Sequence, residues 1–135
     1  MTKPRARELG LDLPGVPGPA NALTDVPGVT VGYCTRLQDP HVPQSGLQTG
    51  SGPIRSGVTA VLPRGDVETP MPVWAGLYAL NGNGEMTGSH WVRDGGYLVG
   101  PICLTNTHAV GAVHHGATRW MLERYAATWT REHLW

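Results

Sequence analysis

The 135-residue chain carries ten Lys and Arg against ten Asp and Glu, so its formal net charge is zero. A domain without a basic excess lacks the electrostatic footprint of a protein that binds nucleic acid or anionic lipid. Because 40% of the residues are hydrophobic, while no apolar run approaches the ~20 residues of a membrane helix and no signal peptide is recognisable, we expect one soluble globular domain.

The first half of the chain predicts two short strands. Ten of the twelve prolines fall within the first 70 residues, which argues against a long helix there because proline removes a backbone donor and fixes φ. Gly28–Tyr33 and Val58–Leu62 are rich in β-branched residues and bounded by Gly or Pro, as strands are. Between them, residues 38–53 are polar and rich in Gly and Pro, which predicts a surface loop.

Two further strands are predicted in the second half. Val73–Leu80 is apolar at every position, which favours a strand covered on both faces. Asn81-Gly82 then signals a tight turn, and we expect a glycine-rich loop that opens no amphipathic helix as far as Gly100. Ile102–Thr105 is the second predicted buried strand.

A helix is predicted from about Ala109 to Ala126, with Thr107 as its candidate N-cap. Strands followed by a helix that can lie on their sheet predict an α/β (α+β) domain. The apolar side of the helix, which would face the sheet, repeats near every 3.6 residues and consists of Val110, Val113, Ala117, Trp120, Met121 and Tyr125.

The two cysteines, Cys34 and Cys103, show no CxxC spacing and lie in apolar, strand-like segments. We therefore expect buried free thiols rather than a disulfide. Free thiols are typical of a reducing compartment, and a cytoplasmic location is the corresponding expectation.

The segment from Asn81 to Trp91 is unusual because it places one carboxylate, Glu85, among glycines at the end of a predicted strand. A carboxylate there, without side-chain bulk beside it, is well placed to receive a cationic ligand. Two other interpretations exist. Glu85 could be simply solvated on an Asn-Gly hairpin, or the glycines at 82, 84 and 88 could form a phosphate loop, which the negative charge of Glu85 disfavours.

The remaining residues predict neither a metal site nor a nucleophile. His108 and His115 could share one helix face, but the chain has no HExxH and no paired cysteines. We expect these histidines on the exposed side of the helix, with no metal and no cofactor. Since there is no GxSxG elbow and no serine with a convincing base, we assign no catalytic residue within this chain.

Five segments stand out by their order and spacing: residues 5–10 (RARELG), 18–29 (GPxNALTDVPGV), 57–65 (GVTAVLPRG), 79–88 (ALNGNGEMTG) and 100–108 (GPIxLTNTH), where x is a position outside the motif. Together they closely resemble the start of the L-aminopeptidase/D-esterase family, which includes the β-peptidyl aminopeptidases. The resemblance extends from about Arg5 to the predicted helix near Trp120.

The resemblance implies a layered α-β-β-α sandwich of the N-terminal-nucleophile-like hydrolase type, incomplete in this chain. Family members are made as one precursor that cleaves itself at a Gly-Ser bond, and the new N-terminal serine of the smaller subunit attacks substrates. The implied reaction removes an N-terminal residue from peptides, amides or esters through an acyl-enzyme. The α-amine of that serine can act as its base, because its ordinary pKa of about 7.7–8.0 allows proton transfer near neutral pH.

The resemblance also gives Glu85 a role, because the glutamate of the family's NGNGE segment lies in the substrate pocket, where it can hold the free ammonium. Asn83 and Trp91 are further candidates for the pocket wall, and Asn106 for support of a loop. The implied partners are a small peptide, amino acid amide or ester, the rest of the chain's own precursor, and further copies in a homo-oligomer. Neither nucleic acid nor a membrane is expected.

Compared with the family, residues 1–135 are expected to be one truncated N-terminal segment of the larger subunit. The nucleophile and the oxyanion donors are expected beyond Trp135. Alone, the chain is expected to be inactive and poorly folded, with unpaired strand edges and bare apolar faces. Two alternatives remain: a non-catalytic amine- or peptide-binding module that keeps the Glu85 pocket, and an assembly subunit derived from the same fold.

Overall fold

A computed structural model describes residues 3–39 and 52–128. These residues form two small sheets and two α-helices, preceded by a 3-10 turn at Leu23–Asp25. In chain order the elements are β1 (Thr30–Gln38), β2 (Ile54–Leu62), β3 (Val73–Trp74), α1 (Ser89–Gly95), β4 (Tyr97–Leu98), β5 (Ile102–Thr105) and α2 (Val110–Arg124).

β1 and β2 form the longest ladder among the described residues. They pair antiparallel along their whole length, beginning with Thr30 opposite Leu62. The two strands predicted in the first half are therefore confirmed, and both are longer than predicted because pairing extends them past the β-branched runs. β1 starts two residues after Gly28, whose φ of +85° lies in the left-handed region. The loop predicted at 38–53 lies largely outside the described residues.

β5 completes a three-stranded antiparallel sheet in the order β1-β2-β5. The predicted strand Ile102–Thr105 is confirmed with the same bounds, but the prediction that it is buried is wrong, because Leu104 is 57% exposed and the other three residues are half-buried. The hydroxyl of Thr105 donates to the carbonyl of Gly57 on β2 at 2.8 Å. Glycine is needed at position 57, because a Cβ there would stand 2.6 Å from the backbone oxygen of Cys34 on β1.

α2 packs along β5 and confirms the helix predicted from about Ala109 to Ala126. The six apolar residues predicted to face the sheet are all buried or half-buried, and Tyr125 is 4% exposed. Within the ranges that the structure describes, neither α2 nor the shorter α1 is long and apolar enough to cross a membrane.

The predicted N-cap of this helix, Thr107, is wrong. Thr107–Ala109 forms a 3-10 turn, and α2 starts after Ala109 without a side-chain cap. The backbone N–H of Ala109 donates to the carbonyl of Asn106 at 3.0 Å. A tighter first turn of this kind satisfies a terminal donor through the backbone, so no capping hydroxyl is needed.

The predicted buried strand at Val73–Leu80 is also wrong. Only its first two residues, β3, are strand, paired with β4, and the side chains of Trp74, Tyr78 and Leu80 are 85%, 88% and 86% exposed. Continuous apolarity indicates burial, but a strand also needs a partner, and β4 supplies only two residues. Asn81-Gly82 closes no hairpin within the described residues and belongs to a series of bends.

The glycine-rich loop expected up to Gly100 contains a helix that the sequence analysis excluded. α1, Ser89–Gly95, lies between Gly88 and Gly96, which have left-handed φ values of 85° and 73°. Gly96 ends the helix, because its N–H donates to the carbonyl of Val92 at 3.0 Å. Val92 is only 5% exposed and anchors the helix to the interior. Local capping and one buried side chain thus stabilise a helix too short for a periodic pattern.

Side-chain hydrogen bonds fold the proline-rich N-terminal segment onto itself. Arg5 donates to the carbonyl of Ala20 at 2.5 Å, and Arg7 donates to a nearby carbonyl at 2.7 Å. The carboxylate of Asp25 accepts two backbone N–H bonds, at 2.9 and 3.0 Å. Hydrogen bonds, rather than the burial of apolar side chains, therefore stabilise the conformation of the first 25 residues.

Both cysteines are free, as predicted. The prediction that both are buried fails for Cys34, which is exposed on β1. β1 is an edge strand, and α2 lies over β5 at the other edge, so it leaves β1 uncovered. Cys103 on β5 is half-buried, and burial raises the pKa of its thiol.

The described residues bury little apolar surface. Among residues 3–39 and 52–128, three apolar side chains are buried: Val61, Val92 and Tyr125. The sheet face opposite α2 is open around Tyr33 and Leu104, which are 81% and 57% exposed, whereas Val61 is buried at the other end of the same face. An exposed apolar face of this kind is typical of a surface that contacts further polypeptide.

Candidate functional site

Residues 75–96 form an excursion that carries three of the four predicted binding residues. The excursion leaves the two-stranded β3–β4 sheet and returns to it. Its ends are joined by a hydrogen bond from the N–H of Ala75 to the carbonyl of Gly96 at 2.9 Å. Asn83, Glu85 and Trp91 therefore lie on one closed segment with a fixed base.

The turn before Glu85 is fixed by short-range hydrogen bonds. Oδ1 of Asn81 accepts from the backbone N–H of Asn83 at 2.9 Å, which is an Asx turn. Gly84 donates its N–H to the carbonyl of Gly82 at 3.2 Å, and its φ of +142° is open only to glycine in practice. Asn83 contributes its backbone to this turn, and its side chain is exposed.

Glu85 follows the turn with its side chain exposed to solvent. Among the described residues, its carboxylate takes part in none of the ion pairs, which involve Asp39, Asp66 and Glu123. A free carboxylate can accept charge-assisted hydrogen bonds from an ammonium group. The position of Glu85 is compatible with both the cation-binding and the solvated interpretations, and it gives the phosphate-loop interpretation no support.

Trp91 lies on α1 and is 53% exposed. Its ring contacts Tyr97 edge-on, with the ring centroids 5.3 Å apart and an interplanar angle of 87°. Aromatic pairs prefer this geometry because the positive edge of one ring meets the negative face of the other. Trp91 thus presents an open apolar ring surface on the same excursion as Glu85.

Asn106 lies on the other sheet, directly after β5. Its Nδ2 donates to Oγ of Ser56 on β2 at 2.6 Å, and its carbonyl accepts the N–H of Ala109. These are the contacts of a residue that supports the turn into α2. Within the described ranges, no hydrogen bond joins Asn106 to the 75–96 excursion.

A cleft of about 660 Å³ lies between α2 and the three-stranded sheet. Its floor consists of alternate residues of β1, β2 and β5, and its wall consists of small residues of α2 such as Ala112 and Gly116. The volume is within the range of small-molecule sites, about 300–1,000 Å³. None of the four predicted binding residues lines it. The cleft and the 75–96 excursion are therefore two different surfaces.

The histidines predicted on the exposed side of the helix, His108 and His115, are exposed, as is His114 between them. In the ranges 3–39 and 52–128, no group of three or more His, Cys, Asp or Glu residues is arranged to hold a metal ion.

Comparisons with known proteins identify the family to which this chain belongs. The model of peptidase family S58 matches residues 21–134. The chain therefore belongs to peptidase family S58. It is 46% identical over 127 residues to the beta-peptidyl aminopeptidase BapA of Sphingosinicella microcystinivorans, an alignment that covers 93% of this chain and 31% of that protein.

Solved structures agree with this assignment. The L-aminopeptidase D-Ala-esterase/amidase of Ochrobactrum anthropi, described as a prototype for the serine aminopeptidases and a new variant of the Ntn hydrolase fold, matches with a TM-score of 0.80 and 55% identity over 95% of this chain and 34% of that one. A Burkholderia sp. beta-aminopeptidase matches with a TM-score of 0.72 and 43% identity over 91% and 33%. The predicted family and the predicted α/β fold of N-terminal-nucleophile type are confirmed, and the chain spans about a third of these relatives' length.

Three residues close to Trp91 in the chain were not predicted to belong to the site. They are Gly95, Gly96 and Tyr97, at the junction of α1 and β4. A signal was present, because a glycine pair followed by an apolar dipeptide is typical of a helix C-terminus that leads into a strand. The high glycine content of the surrounding stretch obscured it.

Proposed function

We propose that the complete protein is a serine-type aminopeptidase in which this chain supplies part of the substrate pocket and another part of the same precursor supplies the nucleophile. The proposal is carried by one observation: the exposed Glu85 on a closed excursion of a chain from peptidase family S58. An aminopeptidase recognises the free ammonium at the start of its substrate. A carboxylate without an internal cation is the direct partner for that group.

Glu85 acts as the anchor for the substrate ammonium. A charge-assisted hydrogen bond contributes about 1.5–3 kcal/mol, which corresponds to roughly 10- to 150-fold in affinity. The glycines that precede Glu85 leave room beside the carboxylate, so the first residue of a substrate can approach without a steric clash. An N-acetylated substrate lacks the positive charge and loses this contribution.

The nucleophile in this proposal is the N-terminal serine of the smaller subunit, exposed when a Gly-Ser bond of the precursor is cleaved. Its Oγ attacks the carbonyl carbon of the anchored residue while the α-amine of the same serine takes the hydroxyl proton. N–H donors stabilise the oxyanion that forms. The bond to the leaving group then breaks, and the leaving group departs with the proton. Water hydrolyses the resulting ester, which releases the residue and restores the serine.

The exposed sheet face supports the rest of the precursor as the partner of this chain. Tyr33, Thr59 and Leu104 stand in one row across β1, β2 and β5, and a second sheet laid on this row would bury its apolar side chains. The same face favours the alternative of an assembly subunit, in which another copy covers it. That alternative predicts a stable oligomer of this chain without ligand or further polypeptide, whereas the precursor proposal predicts none.

The test of the anchor is Glu85→Gln in the complete enzyme, assayed with an amino acid amide and its N-acetyl derivative. We expect KM for the free amine to rise roughly 10- to 150-fold and the preference over the acetylated substrate to fall by the same factor. Glu68→Gln, another exposed carboxylate, is the matched control and leaves both values unchanged. An unchanged free-amine preference in Glu85→Gln refutes the anchor, and amine binding without hydrolysis by the wild type identifies a binding module.

A further inference from the structure

The base of the 75–96 excursion is the short β3–β4 sheet, which holds the two ends of the excursion together. Two antiparallel residue pairs join β3 to β4, and the Ala75–Gly96 hydrogen bond of 2.9 Å continues the connection by one step. The excursion has α1 at its returning end, so α1 is attached directly to this base. Any side chain that ties α1 to β4 consequently sets the orientation of the helix relative to the sheet.

Two neighbouring residues of α1 have opposite environments. Val92 is 5% exposed and faces the interior, whereas Trp91 is 53% exposed. Successive residues on a helix point about 100° apart, so burial of Val92 directs Trp91 to the rim of the helix. There the Trp91 ring meets Tyr97 edge-on at 5.3 Å. Tyr97 belongs to β4, and the ring pair therefore ties α1 to the base.

Because Gly95 has no side chain, the rings of Trp91 and Tyr97 can pack beside its Cα. A Cβ at Gly95 would stand 3.3 Å from Cε1 of Tyr97 and 3.4 Å from Cε2 of Trp91. Gly95 is not among the glycines with positive φ, so its backbone conformation is open to alanine. A methyl group at this position would crowd the Tyr97 ring, which must shift by a few tenths of an ångström, and would contact the Trp91 ring.

Trp91 follows Glu85 by six residues. Between them the N–H of Ser89 donates to the carbonyl of Met86 at 3.2 Å, which closes a turn. In a substrate held by its ammonium, the side chain of the first residue branches from a carbon one or two bonds from the nitrogen. That side chain consequently lies within a few bond lengths of the anchor.

We propose that Tyr97 and Gly95 are positioning residues that orient Trp91, and that the open face of Trp91 selects substrates with a large apolar first side chain. This inference rests on the proposed function, because it takes Glu85 as the anchor. It assigns the selectivity to a surface fixed by three residues: Trp91 contacts the substrate, Tyr97 supports the ring from the base, and Gly95 leaves the ring pair its space.

The experiment compares Gly95→Ala, Tyr97→Leu and Tyr97→Phe in the complete enzyme. The readout is the ratio of kcat/KM for a leucine anilide to that for a glycine anilide. We expect Gly95→Ala and Tyr97→Leu to lower this ratio roughly 2- to 10-fold, chiefly through KM for the leucine substrate, since an aromatic edge-to-face pair contributes on that scale. Tyr97→Phe keeps the ring and restores the ratio.

A stability measurement separates positioning from a merely structural role. Gly95 is the last residue of α1, where the helix propensity of alanine over glycine offsets the crowding of the Tyr97 ring, so Gly95→Ala should lower selectivity with little change in Tm. The matched control is Gly111→Ala in α2, where an added Cβ meets nothing within 4 Å and the ratio stays unchanged. An unchanged ratio in both Gly95→Ala and Tyr97→Leu overturns the inference. Failure of the anchor itself is distinguishable, because it appears as an unchanged free-amine preference in Glu85→Gln.

Discussion

The substitution Gly57→Ala tests the antiparallel pairing of β1 with β2. Gly57 lies within β2 opposite Thr35, and an added Cβ would stand 2.6 Å from the carbonyl oxygen of Cys34 and 3.4 Å from Cα of Thr35. Both contacts are backbone atoms of β1, so no rotamer change relieves them. The two strands must move apart where they now pair.

The magnitude follows from these contacts. Overpacking that displaces backbone costs about 1–3 kcal/mol. Displacement of the Gly57 carbonyl also weakens its hydrogen bond with the Thr105 hydroxyl, a contribution of about 0.5–1.5 kcal/mol. We therefore expect Gly57→Ala to lower the free energy of unfolding by about 2–4 kcal/mol.

Gly32→Ala on the paired strand is the matched control. A Cβ at Gly32 meets nothing within 4 Å, and the loss of backbone freedom in the unfolded chain should raise stability by about 0.4–1 kcal/mol. Urea unfolding of the purified protein, followed by circular dichroism, measures both variants. Equal midpoints for Gly57→Ala and Gly32→Ala would refute the assigned register of β1 and β2.

Two further predictions concern titratable groups. The backbone N–H groups of Ala22 and Ala20 lower the pKa of Asp25, so its contribution to stability is present above the ordinary pKa and is lost as pH falls through the lowered one. The unfolding midpoint of wild type should therefore exceed that of Asp25→Asn at neutral pH and converge with it below about pH 4; a constant difference contradicts this. Iodoacetamide should modify the thiol of Cys34 before that of Cys103, because Cys34 is exposed whereas burial raises the pKa of the Cys103 thiol. Peptide mass mapping that finds Cys103 modified first would contradict this prediction.

The sequence predicted the elements whose hydrophobic pattern matches the neighbouring element that they face in the fold. β5 has the predicted bounds, and α2 differs from its prediction by one or two residues at each end. The apolar stripe of α2 faces the sheet across the cleft, as its 3.6-residue period predicts. The run Val73–Leu80 shows the limit of such patterns: its apolar residues indicate burial, yet strand formation depends on a partner that no local pattern records.

The sequence identified candidate residues for the site, but it did not predict how they are arranged in space. The NGNGE segment identified Glu85 and its neighbours, but their geometry depends on the closure of β3 on β4, a contact between residues 20 or more positions apart. α1 could not be predicted from periodicity, because its seven residues include few strong helix formers and depend on burial of Val92 and on Gly96 at the C-terminus. Trp91 was named without the partner, Tyr97, that orients it.

The most direct test of the account is the intact mass of the complete gene product that contains this sequence, with N-terminal sequencing of every subunit. The account predicts one precursor that resolves into two subunits, with Glu85 in the larger one and serine as the first residue of the smaller one. Aminopeptidase activity should appear together with this cleavage. An uncleaved product with full activity, or a smaller subunit that starts with a residue other than serine, would contradict it.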